Sequence, residues 1–377
     1  MTESRKNIAI IGPVYPYKGG ISHYTSLMAK NLSKDFEVTV ISFKKLYPKF
    51  LFRQKQKDFS EVIFKVENTK YLINTTNPFS WQKSANYINH INPDIVIFQW
   101  WHPYFFFCYR YIIQFIKNKN ILFVYHNVFP HENFPFAKTI TKLLLTKGDY
   151  FILHSNQDVA DLCSIYPSAK YRKTVHPTYN TFKFTGINKS EARENLGIAK
   201  NVKILLFFGF VREYKGLIYL INAFPQICKE LDNCLLLIVG EFREDKSKYI
   251  NLIDELGIAQ NVKIIDNYVP DQEIENIFMS SDLVILPYIS STQSGIVQIA
   301  FGFEKPVIVT NVGGLPEVVK NGITGYVVEP KDSDAIAQAT IKFFKENKAE
   351  IFSENINKES YKYSWDHMNE IINSFLL

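Results

Sequence analysis

Short runs of apolar residues recur along the chain and alternate with longer segments in which apolar positions fall three or four residues apart. The short runs are rich in β-branched and aromatic residues, which predicts buried strands. The longer segments, such as 22–34 and 216–230, have the spacing of amphipathic helices. The predicted strands are 7–12, 37–42, 61–64, 94–98, 121–125, 150–153, 203–208, 235–239, 262–265, 283–286, 306–310 and 325–328.

This alternation of strands and helices predicts an α/β fold. Because the strand runs are almost continuously apolar, the strands should form parallel sheets that are covered on both faces. The pattern occurs twice, so we expect two doubly wound domains joined near residues 180–195, where the chain becomes polar. Ligands of such sheets bind at the carboxyl ends of the strands. The expected site is therefore the cleft between two domains that face each other.

Composition excludes several classes of protein. The 377 residues are enough for two domains, and a hydrophobic content of 46% excludes a disordered chain. The four cysteines are scattered and have no zinc-ligand spacing, which excludes a disulfide scaffold and indicates reduced thiols in a cytoplasmic protein. Residues 7–12 lack the cleavage site of a signal peptide, and the apolar stretch 95–116 is interrupted by polar residues. We expect a soluble protein, or one that attaches at most to a membrane surface.

The net charge of +6 conceals an asymmetry between the two halves of the chain. Residues 1–185 contain 24 Lys and Arg against 11 Asp and Glu, whereas the remainder contains 19 against 26. A basic half joined to an acidic half indicates that the first half meets an anionic partner. Lipid headgroups, a pyrophosphate-linked substrate and nucleic acid all fit this charge.

A glycine pair, Gly19-Gly20, lies between the first predicted strand and its helix. Glycines at that place let a phosphate approach the backbone N–H groups at the start of the helix. An ordinary flexible connection fits equally well. The spacing differs from the GxGxxG of dinucleotide-binding folds, which argues against a dehydrogenase.

Two cations follow the strand 203–208. The strand ends at Gly209, and Arg212 and Lys215 come before the next predicted helix. A guanidinium and an ammonium at the carboxyl end of a strand can neutralise a diphosphate, which favours a binding role over two solvated surface cations.

Polar groups also follow two further strands of the second half. Glu241 comes after the strand 235–239, where its carboxylate can accept from a hydroxyl or from Arg212. The strand 283–286 leads into a loop that contains Gln293, Ser294 and Gly295. Hydroxyl and amide groups before a helix suit a phosphate or a sugar, although a single N-cap would explain one of the hydroxyls.

In the first half, His126 follows the strand 121–125, and Gln99-Trp100-Trp101-His102 follows the strand 94–98. Polar groups between aromatic faces are typical of sugar-binding sites, but a single histidine is more often structural. Asp332 and Asp334 have the spacing of a DxD metal site, yet they favour a cap on the helix near 333–346, so no metal is assigned. Segment 44–53 mixes cations with bulky apolar residues, which fits an anionic membrane surface or a solvated loop.

Together these residues resemble a retaining glycosyltransferase of the large family 4 group, which has the two-domain GT-B fold. The resemblance covers most of the chain and is strongest across 203–330. The motifs that carry it are the Gly19-Gly20 loop, the GFxRxxKG segment from Gly209 to Gly216, Val239-Gly240-Glu241, Tyr268-Val269-Pro270 and the run from Lys305 to Gly325.

The resemblance implies an N-terminal acceptor-binding Rossmann-like domain over 1–185 and a C-terminal nucleotide-sugar-binding domain over 186–358. A final helix within 359–377 would pack back on the first domain. Arg212 and Lys215 would contact the donor diphosphate, with Gly19 and Gly20 on its other side and His126 near the reacting sugar. Gly209, Glu241, Tyr268, Gln293, Ser294, Gly295 and Gln298 would complete the donor site. The resemblance implies no metal and no cofactor, because the nucleotide sugar is a substrate.

One departure concerns two glutamates that many relatives carry eight positions apart. An ungapped alignment on Lys305-Pro306-Val307-Ile308 places Ser291 and Ile299 there, and neither side chain offers a carboxylate. Gln298 is adjacent and is the candidate substitute.

The leading hypothesis is transfer of a sugar from a UDP- or GDP-sugar to a glycan or lipid-linked saccharide at the cytoplasmic face of the membrane, in bacterial surface polysaccharide synthesis. A nucleotide-sugar epimerase on the same fold is one alternative. A non-catalytic subunit that binds nucleotide sugar or membrane is another. Nucleic acid is not expected as a partner, because no nucleic-acid-binding motif accompanies the positive charge.

Overall fold

The structure is a computed structural model that describes residues 5–48, 55–59, 62–117, 120–128 and 136–376. The chain divides into two compact units. Unit 1 comprises Met1–Val175 with Trp365–Leu377, and unit 2 comprises His176–Ser364.

Unit 1 contains a seven-stranded parallel sheet with the strand order β3-β2-β1-β4-β5-β6-β7. Its strands are β1 (Asn7–Ile11), β2 (Glu37–Lys45), β3 (Thr69–Asn74), β4 (Ile95–Trp100), β5 (Ile121–Tyr125), β6 (Tyr150–Leu153) and β7 (Lys170–Lys173). Its helices are α1 (Gly20–Leu32), α2 (Pro78–Ile91), α3 (Phe106–Phe115), α4 (Ala137–Leu145), α5 (Asn156–Ile165) and, from the end of the chain, α14 (Trp365–Asn373).

Apolar cores lie on both faces of this sheet. In β1, Ile8 and Ile10 pack in one core, whereas Ala9 and Ile11 pack in the other. Successive side chains of a strand point to opposite faces, so a strand covered on both faces must be apolar at every position. This explains the continuous apolar runs in the sequence.

Unit 2 contains a six-stranded parallel sheet with the order β10-β9-β8-β11-β12-β13. Its strands are β8 (Lys203–Phe208), β9 (Cys234–Val239), β10 (Val262–Ile265), β11 (Leu283–Leu286), β12 (Val307–Thr310) and β13 (Gly325–Val328). Its helices are α6 (Lys189–Asn195), α7 (Leu217–Glu230), α8 (Ser247–Glu255), α9 (Asp271–Ser280), α10 (Gly295–Gly302), α11 (Leu315–Val318), α12 (Ser333–Lys345) and α13 (Lys348–Lys358). The two parallel sheets with their helices confirm the predicted α/β class of two doubly wound domains.

One predicted strand was wrong, and two strands of the structure, β3 and β7, were not predicted. Val62–Phe64, in the predicted strand 61–64, forms a 3-10 helix, because only Phe64 is buried while Val62 and Ile63 are exposed. The strand that pairs with β2 is β3, farther along the chain. The edge strand β7 was not predicted, since its sequence KYRK is largely exposed and polar.

The segment after β7 belongs to unit 2, ten residues before the predicted boundary at 185/186. Its contacts explain this grouping, because the Glu275 carboxylate on α9 accepts hydrogen bonds from the backbone of Phe184, Thr185 and Gly186. Burial acts to raise the pKa of Glu275, but these hydrogen bonds outweigh it and lower the pKa.

The end of the chain is split between the two units. Ser360–Tyr363 forms a 3-10 helix in unit 2, whereas α14 packs against α1 in unit 1. There the Asn369 side chain donates to the Asn31 carbonyl at 3.0 Å.

Candidate functional site

In unit 2, the strand order reverses beside β8, which lies between β9 and β11. Loops that leave neighbouring strands in opposite directions open a crevice at their carboxyl ends. The segment from Gly209 to Gly216 follows β8, and the loop 287–294 follows β11. We call the residues of these two loops the strand-end site.

Lys215 is the best-defined side chain of the strand-end site. Its Nζ donates to the Tyr288 hydroxyl at 3.1 Å and lies 4.9 Å from the centre of the Tyr288 ring. The Tyr288 hydroxyl lies 3.3 Å from Ser294 Oγ, and Tyr288 itself is 2% exposed. The ammonium is also 3.1 Å from the position that a Cβ on Gly209 would take, so the glycine leaves room for it. Tyr288 and Gly209 therefore lie against the positive charge of Lys215, and Ser294 contacts the Tyr288 hydroxyl.

Backbone contacts hold the two loops together. The Ile289 N–H donates to the Tyr214 carbonyl at 2.7 Å. Gly216, which precedes α7, has a φ of 66°, and a Cβ there would lie 1.9 Å from the Pro287 carbonyl oxygen. Only glycine combines this φ with so close an approach. The glycine that ends the GFxRxxKG motif thus sets the spacing between the loops.

Arg212 is exposed, and its carbonyl accepts from the Lys215 N–H at 2.9 Å at the start of the 3-10 helix Glu213–Lys215. Arg212 and Lys215 therefore occupy one turn at the carboxyl end of β8. An arginine and a lysine so placed can bind an anion with a planar fork and a point charge.

The carboxylate of Glu241 forms an ion pair with Arg243 at 2.8 Å. The Arg243 guanidinium also lies 4.6 Å from the centre of the Phe210 ring. No motif pointed to Arg243. The available signal was its position two residues after Glu241, which allows the two side chains to meet as an ion pair.

The loop after β11 is held by its own polar groups. Ser291 Oγ donates to the Gln293 carbonyl at 2.6 Å, and the Thr292 carbonyl accepts from the Gly314 N–H at 2.8 Å. Ser294 precedes α10 but its side chain makes no capping hydrogen bond, so simple capping does not explain it. Gly295, the first residue of α10, is exposed.

Ser291 and Ile299, which stand where many relatives have two glutamates, and the adjacent Gln298 are buried or half-buried. Gln298 is 1% exposed, and its Oε1 has no hydrogen-bond partner among the described residues. Ile299 is 8% exposed, while Ser291 is half-buried. Tyr268 is half-buried and follows the edge strand β10, which β9 separates from β8.

In unit 1, Gly19 precedes α1 with a φ of 104°, a conformation that favours glycine. A Cβ on Gly19 or on Gly20 would meet no described atom within 4 Å. This turn is therefore open around the two glycines.

His126 follows β5 and belongs to a group of polar side chains at the carboxyl ends of β4, β5 and β6. Its Nε2 lies 2.8 Å from Oε1 of Gln99, the buried residue near the end of β4. Its ring meets the Tyr24 ring edge to face, with centroids 4.6 Å apart. We call Tyr24, Gln99, His126 and His154 the histidine cluster.

His154 is the strand-end residue of this cluster that the sequence predictions missed. Its Nε2 lies 3.2 Å from the Tyr24 hydroxyl, and its Nδ1 lies 3.0 Å from the Thr174 carbonyl oxygen. Burial lowers the pKa of His154 to about 4, although the bond to Thr174 acts in the other direction. The signal was present, since His154 follows β6 as His126 follows β5.

The remaining candidates have local roles in the structure. Asp332 Oδ1 accepts from the Ala335 N–H at 2.8 Å, which confirms the predicted cap on α12. Across the part of the chain that the structure describes, no three His, Cys, Asp or Glu residues form a group able to hold a metal.

Segment 44–53 is described only as far as residue 48, and residues 49–53 lie outside the described ranges. Lys44 and Lys45 are exposed, but Leu46 is buried and the Tyr47 hydroxyl accepts from the Trp101 indole at 3.0 Å. Burial raises the pKa of Tyr47 to about 12. No helix within the described ranges has the length and apolar character needed to cross a membrane.

Comparison with known families identifies one domain. Residues 188–362, nearly all of unit 2, match the family Glycosyl transferases group 1.

Curated relatives match over part of their length. An uncharacterized glycosyltransferase of Methanocaldococcus jannaschii is 30% identical over 57% of this chain and 56% of its own. A D-inositol 3-phosphate glycosyltransferase of Catenulispora acidiphila is 28% identical over 52% of this chain and 49% of its own. The match spans about half the length of these relatives.

Solved structures match over nearly the whole chain. Sucrose-phosphate synthase from Thermosynechococcus elongatus has a TM-score of 0.75 at 17% identity and covers 98% of both chains. Anabaena HepE, solved in complex with UDP, has a TM-score of 0.74 at 17% identity, covering 98% of this chain and 99% of its own. At such identities the likeness shows the fold, which is the GT-B class of two Rossmann-like domains.

Proposed function

We propose, from the match of residues 188–362 to the group 1 glycosyl transferases, that this protein moves a sugar from a nucleotide sugar to an acceptor. The donor would be a UDP- or GDP-sugar, and the sugar would keep its anomeric configuration. The acceptor would be a glycan or a lipid-linked saccharide of a bacterial surface polysaccharide. The observation that carries the proposal is the Lys215 ammonium held by Tyr288 at the carboxyl ends of β8 and β11.

Transfer of a sugar from a nucleotide sugar requires stabilisation of the diphosphate leaving group. When the bond between the anomeric carbon and the diphosphate breaks, the departing oxygen gains negative charge. Lys215 is already oriented by Tyr288, so it needs little rearrangement to bind that charge. Arg212 on the same turn would bind a second diphosphate oxygen through its guanidinium. These cations would stabilise the leaving diphosphate without a metal.

The other assignments supplement this role. Gly209 would let the diphosphate approach the backbone beside Lys215. Glu241, Tyr268, Gln293, Ser294, Gly295 and Gln298 would bind the rest of the donor. In unit 1, Gly19 and Gly20 would contact the diphosphate, and His126 would contact the transferred sugar.

The test compares two lysines at opposite ends of one strand. Lys215 follows the carboxyl end of β8, whereas Lys203 begins β8 and donates to the Asp232 carbonyl at 2.9 Å. Thermal unfolding should be measured with UDP, GDP, ADP, CMP and their common sugars. We expect one nucleotide to raise the Tm of the wild type and of Lys203→Ala but not of Lys215→Ala.

Turnover gives the second readout. Removing one preorganised positive charge at a leaving group costs about 100-fold or more in rate. Lys215→Ala and Arg212→Ala should each lose that much transfer, with unchanged far-ultraviolet circular dichroism. Normal turnover in both variants would disprove the site.

A non-catalytic nucleotide-sugar-binding subunit is the second candidate, favoured by Ser291 and Ile299 in place of two carboxylates. Donor consumption separates the candidates, because a binding subunit would show the Tm shift without consuming donor with any acceptor.

An anionic membrane surface is the partner we propose for unit 1. Three apolar side chains are exposed here: Phe107 of α3 (70%), Phe136 just before α4 (80%) and Leu143 of α4 (53%). Lys138 and Lys142 on α4 are exposed, and no acidic residue occurs among the described residues from 103 to 148. Apolar side chains beside cations suit an interface with anionic lipids. This surface would attach the protein at the cytoplasmic face.

Vesicle binding tests this partner. Each lysine near an anionic surface contributes about 1 kcal/mol, so Lys138→Gln with Lys142→Gln should weaken binding to phosphatidylglycerol vesicles about 30-fold. Lys342→Gln with Lys345→Gln on α12 is the matched control and should change little. Equal binding to neutral phosphatidylcholine vesicles would contradict the proposal.

A further inference from the structure

The orientation of the Gln99 amide follows from its buried neighbours. Gln99 is fully buried, and its Nε2 lies 3.3 Å from the Met28 sulfur. A thioether can accept a hydrogen bond but has no proton to donate. The amide NH₂ must therefore face Met28, which places the amide oxygen toward His126.

The amide oxygen in turn fixes the proton on His126. Gln99 Oε1 lies 2.8 Å from His126 Nε2, and a carbonyl oxygen can only accept. The ring nitrogen must donate. In a neutral imidazole only one nitrogen carries a proton, so the lone pair of His126 lies on Nδ1.

We propose that Gln99 is a positioning residue that holds the neutral His126 imidazole in its Nε2–H tautomer. The chain of donors runs from the His126 ring to Gln99 and from the Gln99 amide to Met28. His126 follows β5, Gln99 lies in β4 and Met28 lies in α1, so the tautomer is a property of the packed unit.

His154, in the same cluster, has the opposite tautomer and serves as an internal reference for His126. Its Nδ1 lies 3.0 Å from the Thr174 carbonyl oxygen, so Nδ1 carries the proton and Nε2 accepts from the Tyr24 hydroxyl. The lowered pKa of about 4 keeps this ring neutral at ordinary pH. The centroids of the two imidazoles are 6.3 Å apart. Two neighbouring histidines are thus held in opposite tautomers.

The tautomer determines which groups can hydrogen-bond to Nδ1 of His126. This consequence rests on the proposed role of His126 in sugar transfer. A group that meets Nδ1 must donate a hydrogen bond. A sugar hydroxyl can donate, whereas an ether oxygen or an ionised phosphate oxygen can only accept.

Nuclear magnetic resonance of the full chain with ¹⁵N-labelled histidine tests the assignment without any ligand. Long-range ¹H–¹⁵N correlations at about pH 8, above the ordinary histidine pKa of about 6.5, distinguish the two neutral tautomers. Signals are assigned by their loss in His126→Asn and His154→Asn. We expect Nε2–H for His126 and Nδ1–H for His154. A proton on Nδ1 of His126 would overturn the proposal.

Two variants test the positioning role. Gln99→Met removes the acceptor, so His126 should become a mixture of tautomers while the His154 signals stay unchanged. Met28→Leu conserves volume and should fold normally. It removes the sulfur that orients the amide, so a second His126 population should appear. If Gln99→Met does not fold, Met28→Leu decides alone. An unchanged single tautomer in the folded variants would overturn the role of Gln99.

Turnover is read separately. Opposite tautomers together with normal turnover of His126→Asn would leave the Gln99 role intact and remove His126 from the proposed function.

Discussion

The strand-end site of unit 2 and the histidine cluster of unit 1 both lie at the carboxyl ends of a parallel sheet, yet they are held in different ways. The strand-end site has two cations on the loop after β8, whose backbone is joined to that of the loop after β11, and Arg212 is exposed. The histidine cluster consists of polar side chains from α1, β4 and the ends of β5 and β6, and Tyr24, Gln99 and His154 are buried.

This difference determines which interactions each region depends on. A loop held by backbone geometry depends on glycines at fixed positions and tolerates changes in side-chain hydroxyls. A cluster held by side-chain hydrogen bonds in a buried place depends on every donor and acceptor, because a buried polar group without a partner costs free energy. The two regions should therefore respond differently to matched substitutions.

The largest effect is expected at Gly216 of the strand-end site. Gly216 and Gly257 have φ values of 66° and 65°, but a Cβ on Gly257 meets no described atom within 4 Å. Gly257→Ala should cost about 1 kcal/mol, the price of a left-handed conformation for a residue with a Cβ. Gly216→Ala adds a clash with the Pro287 carbonyl and should cost at least about 3 kcal/mol more. Urea unfolding measures both, and equal costs would show that the loops are not held by this contact.

The next effect is a pH dependence of the histidine cluster. The pKa of His154 is lowered to about 4 in the folded state, so the unfolded chain binds more protons as the pH falls below about 6.5. This contribution to the free energy of unfolding is fully present above pH 6.5. It should fall by ~2 kcal/mol at pH 5 and by ~3 kcal/mol at pH 4.

The matched variant is His154→Gln, which cannot titrate. The difference in pH dependence between wild type and His154→Gln isolates this group from the other histidines. If both proteins lose stability in parallel between pH 7 and pH 4, His154 is not buried in neutral form.

The same contrast explains what could be predicted from the sequence. Arg212, Lys215 and Gly216 could be proposed from the sequence because the motif that contains them is local, and its glycines mark a backbone conformation. The Tyr288 contact was not predicted, because 73 residues separate Tyr288 from Lys215. The position of His154 after β6 was visible in the sequence, but its contact with Tyr24 was not, since 130 residues separate them. The predicted strand 61–64 failed because apolar character alone does not show that a residue reaches the core.

Matched hydroxyl deletions should give a smaller effect and opposite readouts in the two regions. Tyr288→Phe removes the acceptor of Lys215 and should reduce sugar transfer about tenfold, equivalent to about 1.4 kcal/mol, because the ammonium loses its orientation. Its stability should change by less than about 1 kcal/mol.

Tyr24→Phe leaves the buried His154 Nε2 without its donor and should cost about 1–2 kcal/mol of stability. Turnover and urea unfolding of both variants complete the comparison. If Tyr24→Phe is as stable as the wild type, the histidine cluster does not depend on this hydrogen bond.

The smallest effect concerns Asp332, a local feature that the sequence predicted and the structure contains. Asp332→Ala removes the cap on α12 and should cost about 1 kcal/mol of stability with no change in turnover. Asp334→Ala is the control, because Asp334 lies in the first turn of α12 but does not cap it, and its loss should cost about 0.3–1 kcal/mol. A metal site would behave otherwise, since both variants would then lose turnover, as would the wild type after treatment with a chelator. Such a result would assign the two aspartates to a metal site and would contradict the metal independence of the proposed function.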